Sequence, residues 1–297
     1  MKLKTNTCKN MPMENNSFAC FILTHGRPDK VVTYKTLKRQ GYTGKIYLII
    51  DNEDKKAEEY YKNFGKENVI MFDKKAIAEK IDEFDNFGDR RAILYARNAC
   101  FEIAENLGIK YFLQLDDDYR DFLYRLYIDK AVCKMVKNLD GLFDSIINYY
   151  KTIPAKSIAI AQGGDFIGGL DNGKELFRFS KRKAMNTFFC STERKFNFIG
   201  RINEDVNTYT SYQSKGNLFL TIQNASVSQG TTQSNKGGMT ELYIDSGTYI
   251  KSFYTVICAP NSVCIKLMNA ANKRLHHSID WDIAAPMIIS DKYKKLK

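Results

Sequence analysis

Three consecutive carboxylates, Asp116, Asp117 and Asp118, close a short apolar run that starts at Lys110 and continues Tyr-Phe-Leu-Gln-Leu. The run has the length of one buried strand. Aspartate is a poor strand residue and is almost never buried unless it is paired or bound to a metal. A strand that delivers such a triplet to its carboxyl end points to a divalent cation site, because ligands bind at that edge of α/β sheets. A strand end followed by an acidic turn would read the same way. Side-chain alternation sets Asp116 and Asp118 together and turns Asp117 from them, unless alternation lapses at the strand end.

Other groups could complete such a site. His25-Gly26-Arg27-Pro28 lies between an apolar run and a helical segment, where a helix N-terminus can hold phosphate and Arg27 adds charge; a helix-starting turn with a surface arginine is the alternative. Asp51 closes a second apolar run and is placed to accept hydrogen bonds from a ribose or a base, although a solvated strand-end aspartate would look alike. Neither G-x-G-x-x-G nor G-x-x-x-x-G-K-[ST] occurs. Far downstream, Asn203-Glu204-Asp205 offers a carboxylate that could act as general base on a hydroxyl. Two neighbours point different ways, so one of them is expected to face the site; an acidic pair favoured by a helix dipole is the plainer reading. Two of the three histidines, His276 and His277, adjoin the sole tryptophan. One of them closing a carboxylate metal shell would suit Mn²⁺, or else Mg²⁺.

The elements that must position these groups alternate. Ser17–Thr24, Lys45–Ile50 and Asn68–Phe72 read as buried strands. Helical segments run from Lys30 to Gln40, from Asp54 to Phe64, and from Arg90 to Leu107 ahead of the triplet. Strand–helix alternation with apolar strands means a parallel sheet with crossover helices on both faces. Residues 129 to 150 have helical apolar spacing at Val132, Met135, Val136, Leu139, Leu142, Phe143, Ile146 and Ile147. Beyond a strand at Ser157–Ala161, glycines 163–173 punctuate a loop before Leu176–Phe179, and short alternating runs suggest antiparallel strands. The expectation is an α/β fold, Rossmann-like and mostly parallel in its first half, with a mixed, strand-rich second half. A polar arm would occupy residues 1–16 and a single domain 17–297, divided near 17–125 and 126–297.

The 297 residues are 44% hydrophobic and 27% charged, ordinary for a globular protein. Lysine and arginine number 45 against 34 acidic residues, a net charge of +11 that favours polyanionic partners. Seven scattered cysteines without a C-x-x-C pair argue against a zinc ribbon or a disulfide framework. With no signal-peptide core and no apolar run near the ~20 residues that cross a bilayer, a cytoplasmic protein with no membrane association is expected. Nothing implies an obligate protein partner.

The order of these groups, with Tyr95-Ala-Arg97-Asn98 ahead of Leu-Asp116-Asp117-Asp118, resembles the GT-A glycosyltransferases. A narrower resemblance spans nearly the whole chain. Ile-Leu-Thr24-His-Gly-Arg-Pro, Gly41-Tyr-Thr-Gly44, Tyr95-Ala-Arg-Asn98, Gln114-Leu-Asp-Asp-Asp-Tyr119, Asn203-Glu-Asp-Val-Asn207, Gly237-Gly-Met-Thr240 and Gly247-Thr-Tyr-Ile-Lys-Ser-Phe-Tyr254 together are similar to the TET/JBP-associated glycosyltransferases of bacteriophages. The resemblance implies a GT-A-like fold and transfer of a sugar to 5-hydroxymethylcytosine or 5-hydroxymethyluracil in double-stranded DNA. It implies a donor site for a UDP-sugar at Thr24, His25, Gly26, Arg27, Asp51, Arg97, Asn98, Asp116 and Asp117, and Mn²⁺ or Mg²⁺ on Asp116, Asp118 and His277 or His276. Asp205, with Glu204, would be the base of an inverting reaction. Gln229, Lys236, Lys251 and Tyr254 would line an acceptor platform. Two other classes stay open: a related enzyme acting on protein, lipid or glycan, and a DNA-binding protein with a degenerate domain.

Overall fold

In the computed structural model, residues 17–127, 131–162, 183–229, 249–268 and 274–285 are described. The expected arm at 1–16, the glycine loop with its strand at 176–179, and Lys236 lie outside them. The first strand, β1 (Phe18–Leu23), is buried at all six positions. It pairs in parallel with β2 (Lys45–Asp51) on one side and β4 (Tyr111–Asp116) on the other. Continuous burial follows from helices on both faces. Cys20 and Ile22 enter one core with Phe143 and Tyr150, while Ala19, Phe21 and Leu23 enter the other with Leu94, Phe112 and Phe198.

Between these strands run α1 (Val32–Arg39), α2 (Ala57–Phe64), β3 (Val69–Phe72), α3 (Lys74–Ala78) and α4 (Leu94–Asn106). Asp73 caps α3 by accepting from Ala76 N at 3.0 Å. Helix α1 gives way to Gly41 at φ +84°, where an added Cβ would stand 2.7 Å from the Lys137 carbonyl oxygen. Gly41→Ala should therefore cost about 1–3 kcal/mol, read as a lower denaturant midpoint at unchanged slope.

After β4 come β5 (Tyr119–Tyr127), β6 (Ala131–Met135), α5 (Leu139–Thr152), β7 (Ala155–Gln162), β8 (Phe188–Ser191), α6 (Glu204–Gln213) and β9 (Leu218–Gln229). They complete a nine-stranded sheet of order β3-β2-β1-β4-β8-β7-β9-β5-β6, parallel from β3 to β4 and mixed beyond. The two-stranded sheet β10 (Val263–Met268) and β11 (Arg274–Ile279) is preceded by the helix Ile250–Cys258. The single helix expected over 129–150 is corrected: residues 131–135 form β6, antiparallel to β5, and the helix begins only at Leu139. Val132, Met135 and Val136 match a helical stripe by spacing, yet Met135 is exposed. Asn138 sets the boundary by accepting from Gly141 N at 3.0 Å.

Strand order reverses between β1 and β4, which places a crevice outside their carboxyl ends. Leu23 faces Asp116 in register, so the residues after each strand meet there.

Candidate functional site

Thr24, the first residue past β1, donates from Oγ1 to Asp117 Oδ2 at 2.7 Å, and the Arg27 guanidinium reaches the same oxygen at 3.1 Å. Asp117 is thus a buried anchor for the β1 turn. Burial pushes its carboxyl up, against the pull of Arg27 and Thr24. The turn itself departs from expectation. Gly26 N donates to Asp54 Oδ2 at 2.6 Å and Arg27 N to the Tyr60 hydroxyl at 2.8 Å. Those amides are committed inside the protein, and only a single 3-10 turn, Pro28–Lys30, follows before α1. The open helix N-terminus expected for phosphate is absent here; the Arg27 side chain keeps its place at the edge.

Asp51, at the end of β2, bonds His25 Nδ1 at 2.7 Å and Lys74 Nζ at 3.3 Å. Burial would raise its pKa, but His25 and Lys74 outweigh that and hold it below the usual carboxylate range. The hydrogen bond to Asp51 raises His25 in turn, favouring the imidazolium. Lys74 and Tyr60 gave no signal in the sequence, since a lysine opening a helix and a helical tyrosine read as ordinary. Asp54 stood in the acidic run after β2 and could have been found there.

Arg97 is 1% exposed and lies over the rings of Phe188 and Phe198. Its guanidinium donates to Asp116 Oδ1 at 3.1 Å and to Glu204 Oε1 at 3.0 Å, joining groups 88 residues apart in the chain (204 − 116). Its bonds thus run to carboxylates of this chain, whereas a donor contact was expected, and its other terminal nitrogen, Nη1, has no partner among the described residues. Asn98, expected beside it, is a buried clamp: its Nδ2 donates to the Leu94 and Phe198 carbonyls and its Oδ1 accepts from Phe198 N.

Helix α6 starts after Asn203 in left-handed backbone at φ 62°, so Glu204 and Asp205 occupy its first turn. Both lie near Arg97, Glu204 bonded to it and Asp205 within its electrostatic reach, where one of the two was expected to face the site. Asp205 is 6% exposed, and burial, then the charge of Glu204, push its carboxyl well above the usual carboxylate range against Arg97 and Lys251. Asp116 is likewise raised to about 7 by burial, opposed by Arg97 and reinforced by Asp118, Glu204 and Asp117. Asp118 Oδ1 is buried with no hydrogen-bond partner among the described residues. Gln229, which faces Tyr119 across β5 and β9, bonds Asp118 and so belongs to the triplet's surroundings.

The crowding of Asp116 and Asp118 and the orphaned Asp118 oxygen fit a divalent cation. The histidines do not join them: among the described residues no three His, Cys, Asp or Glu side chains gather closely enough to hold a metal. His277 lies on β11 with its amide on Ser252 Oγ at 3.1 Å; burial and then His276, Lys251 and Lys183 push its pKa down to about 3. Lys251 stands on the helix Ile250–Cys258, within electrostatic reach of Asp205. Tyr254, expected at the acceptor surface, points inward instead, 7% exposed, with its hydroxyl on Asp85 and Arg201.

Among the described residues no helix is long and apolar enough to cross a membrane. No protein of curated function matches the sequence. Among solved structures, glucosyl-3-phosphoglycerate synthase from Mycobacterium tuberculosis, with Mg²⁺ and UDP, is similar at 5% identity, over 89% of this chain and 88% of that one, with a TM-score of 0.47. The Pyrobaculum calidifontis mannosyltransferase PcManGT, with GDP-Man and Mn²⁺, gives 9% identity over 84% and 73% at 0.45. S. aureus TarS with UDP-GlcNAc gives 11% over 81% and 66% at 0.42. The sequence itself matches the family described as TET-Associated Glycosyltransferase over residues 18–238, most of its length. The chain belongs to that family and is a glycosyltransferase.

Proposed function

We propose that the enzyme moves a sugar from a UDP-sugar to the hydroxymethyl group of a 5-hydroxymethylpyrimidine in double-stranded DNA, with inversion. The observation that carries this reading is the meeting of two carboxylate groups at one sheet edge, Asp116–Asp118 on the donor side and Glu204–Asp205 on the other, across Arg97. A DNA acceptor is supported by the family's description and by the net charge of +11, since a duplex requires lysine and arginine to neutralise its phosphates.

The donor lies across the carboxyl ends of β1, β2 and β4. Arg27 and His25 face its diphosphate, and Asp51, oriented by Lys74, faces the nucleoside. Asp116 and Asp118 would hold a divalent cation, Mn²⁺ or Mg²⁺, which when bound acts as a Lewis acid toward the leaving diphosphate. Asp205 takes the proton of the acceptor hydroxymethyl group. The freed oxygen attacks the anomeric carbon as the bond to the diphosphate oxygen breaks, and UDP departs with that electron pair. One displacement inverts the centre, so no enzyme nucleophile is required. The base must leave the helix stack or be reached through a groove, at a cost of a few kcal/mol.

The experiment is mass spectrometry of 5-hydroxymethylcytosine and 5-hydroxymethyluracil duplexes after incubation with a panel of UDP-sugars and Mn²⁺. The expected result is the mass of one added sugar on one of the two bases. Turnover on a protein or glycan acceptor with no change in either duplex would overturn the DNA reading.

A further inference from the structure

We propose that Arg97 is a positioning residue that sets the acceptor-side carboxylates in register with the donor-side carboxylate, rather than a group that touches the donor. The proposal rests on the reading of Asp205 as the base. Arg97 is held through its backbone, its guanidinium face and two of its three guanidinium nitrogens, Nη1 being left without a partner among the described residues. Its backbone carbonyl accepts from Gln114 Nε2 at 3.0 Å, tying α4 to β4 two residues before Asp116. Its guanidinium carbon lies 5.1 and 5.6 Å from the ring centres of Phe188 and Phe198, which come from β8 and from the segment leading to α6. From that seat the planar fork spends Nε on Glu204 and one terminal nitrogen on Asp116.

Three parts of the fold therefore converge on one cation: the end of β4, the first turn of α6, and α4. Asn98 adds a second tie, since its amide clamps Phe198 to α4 by 3.0 and 2.9 Å bonds. Glu204 heads a helix whose preceding residue, Asn203, has its side chain on Thr255 and no cap on its own amides. Arg97 is thus the group that fixes the Glu204–Asp205 turn relative to the triplet. A lysine keeps the charge but offers one point rather than a fork, and cannot serve both carboxylates in this geometry. A structural ion pair that merely held the fold together would show as lost stability with no preference among kinetic steps.

The test uses the full chain with Arg97→Lys, Glu204→Gln and the double variant, each checked for a cooperative melt. UDP affinity is measured by calorimetry, and kcat and KM for sugar transfer are measured on the acceptor the wild-type enzyme uses. Because a misplacement of about 1 Å costs on the order of a hundredfold in rate, each single variant should lose about that in kcat with UDP affinity nearly unchanged. The double variant should be no worse than the more severe single one, as for residues that act as a unit. UDP affinity falling in step with kcat, or losses that multiply in the double variant, would overturn the proposal. If Arg97→Lys fails to fold, Glu204→Gln decides alone: weakened transfer at full UDP affinity supports the proposal, and normal transfer overturns it. Asp205→Asn run alongside separates the two readings. Normal transfer there beside a defective Arg97→Lys refutes the base assignment and leaves the bracing of Glu204 standing.

Discussion

Asp205→Asn is expected to lower transfer by about a thousandfold, within the range of general-base contributions, while UDP binds as before. The asparagine keeps the size of the side chain and can still accept from Val206 N, which bonds Asp205 Oδ1 at 2.8 Å, so the turn survives. What it loses is the ability to take a proton. Burial and the charge of Glu204 raise the Asp205 carboxyl above the usual carboxylate range, so the base is freed of its proton only as pH rises past that of an ordinary carboxylate. The transfer rate should therefore rise with pH above the ordinary carboxylate range before it levels off. The carboxylates of an ordinary exposed pair would instead give a flat profile from pH 5 upward. Measuring kcat between pH 5 and 9, with UDP affinity at each point, checks both statements. A flat profile, or Asp205→Asn at wild-type rate, removes Asp205 from the chemistry.

The donor half was legible because a buried parallel strand declares itself twice, by its continuous apolar run and by the polar residues at its end. Thr24, Asp51 and Asp116 could each be placed at one edge from that pattern, and the strand order supplies only their lateral arrangement. Misreading began where local pattern and tertiary role diverge. Val132, Met135 and Val136 have helical spacing, but the strand they occupy is selected by pairing with β5, a contact that spacing within the segment does not encode. Asn98 sits beside Arg97 and was expected to share its ligand, yet two neighbours on a helix face different directions, and Asn98 turns to Phe198.

The roles of Asp117 and the histidines were open for a different reason. Whether a carboxylate is an anchor or a ligand depends on which cations reach it, and Thr24 and Arg27 come from 93 and 90 residues away (117 − 24 and 117 − 27). The histidines were assigned to the triplet because imidazole complements carboxylate. The fold gives them lysines as neighbours instead, on a sheet of their own. Lys74 illustrates the converse. Its side chain is 8% exposed and fixes one oxygen of Asp51, although nothing in Lys74-Lys75 distinguishes the buried lysine from the exposed one before the chain folds.

Asp118→Ala should abolish the response to divalent cation, and with it donor turnover, whereas Asp117→Asn should spare that response and cost stability instead. The two aspartates are adjacent in the chain but differ in setting, Asp117 buried and Asp118 half-buried, so the contrast separates an anchor from a ligand. Asp118 carries an oxygen with no partner among the described residues beside the raised carboxyl of Asp116, an arrangement that a dication relieves. Asp117 Oδ2 is directed inward, to Thr24 and Arg27, and replacing the carboxylate weakens both ties and frees the β1 turn. A ligand present at 100 times its Kd stabilises the folded state by about 2.7 kcal/mol, which is several degrees of melting temperature in a chain of this size. The sign with pH is fixed by the raised carboxyls. Asp116 holds its proton below about 7, so a cation competes with that proton there, and the Mn²⁺-induced shift should be small at pH 6 and full at pH 8. Thermal melts of the three proteins with and without Mn²⁺ at both pH values measure this directly. A wild-type shift retained in Asp118→Ala, or lost in Asp117→Asn, would exchange the roles assigned to the two residues.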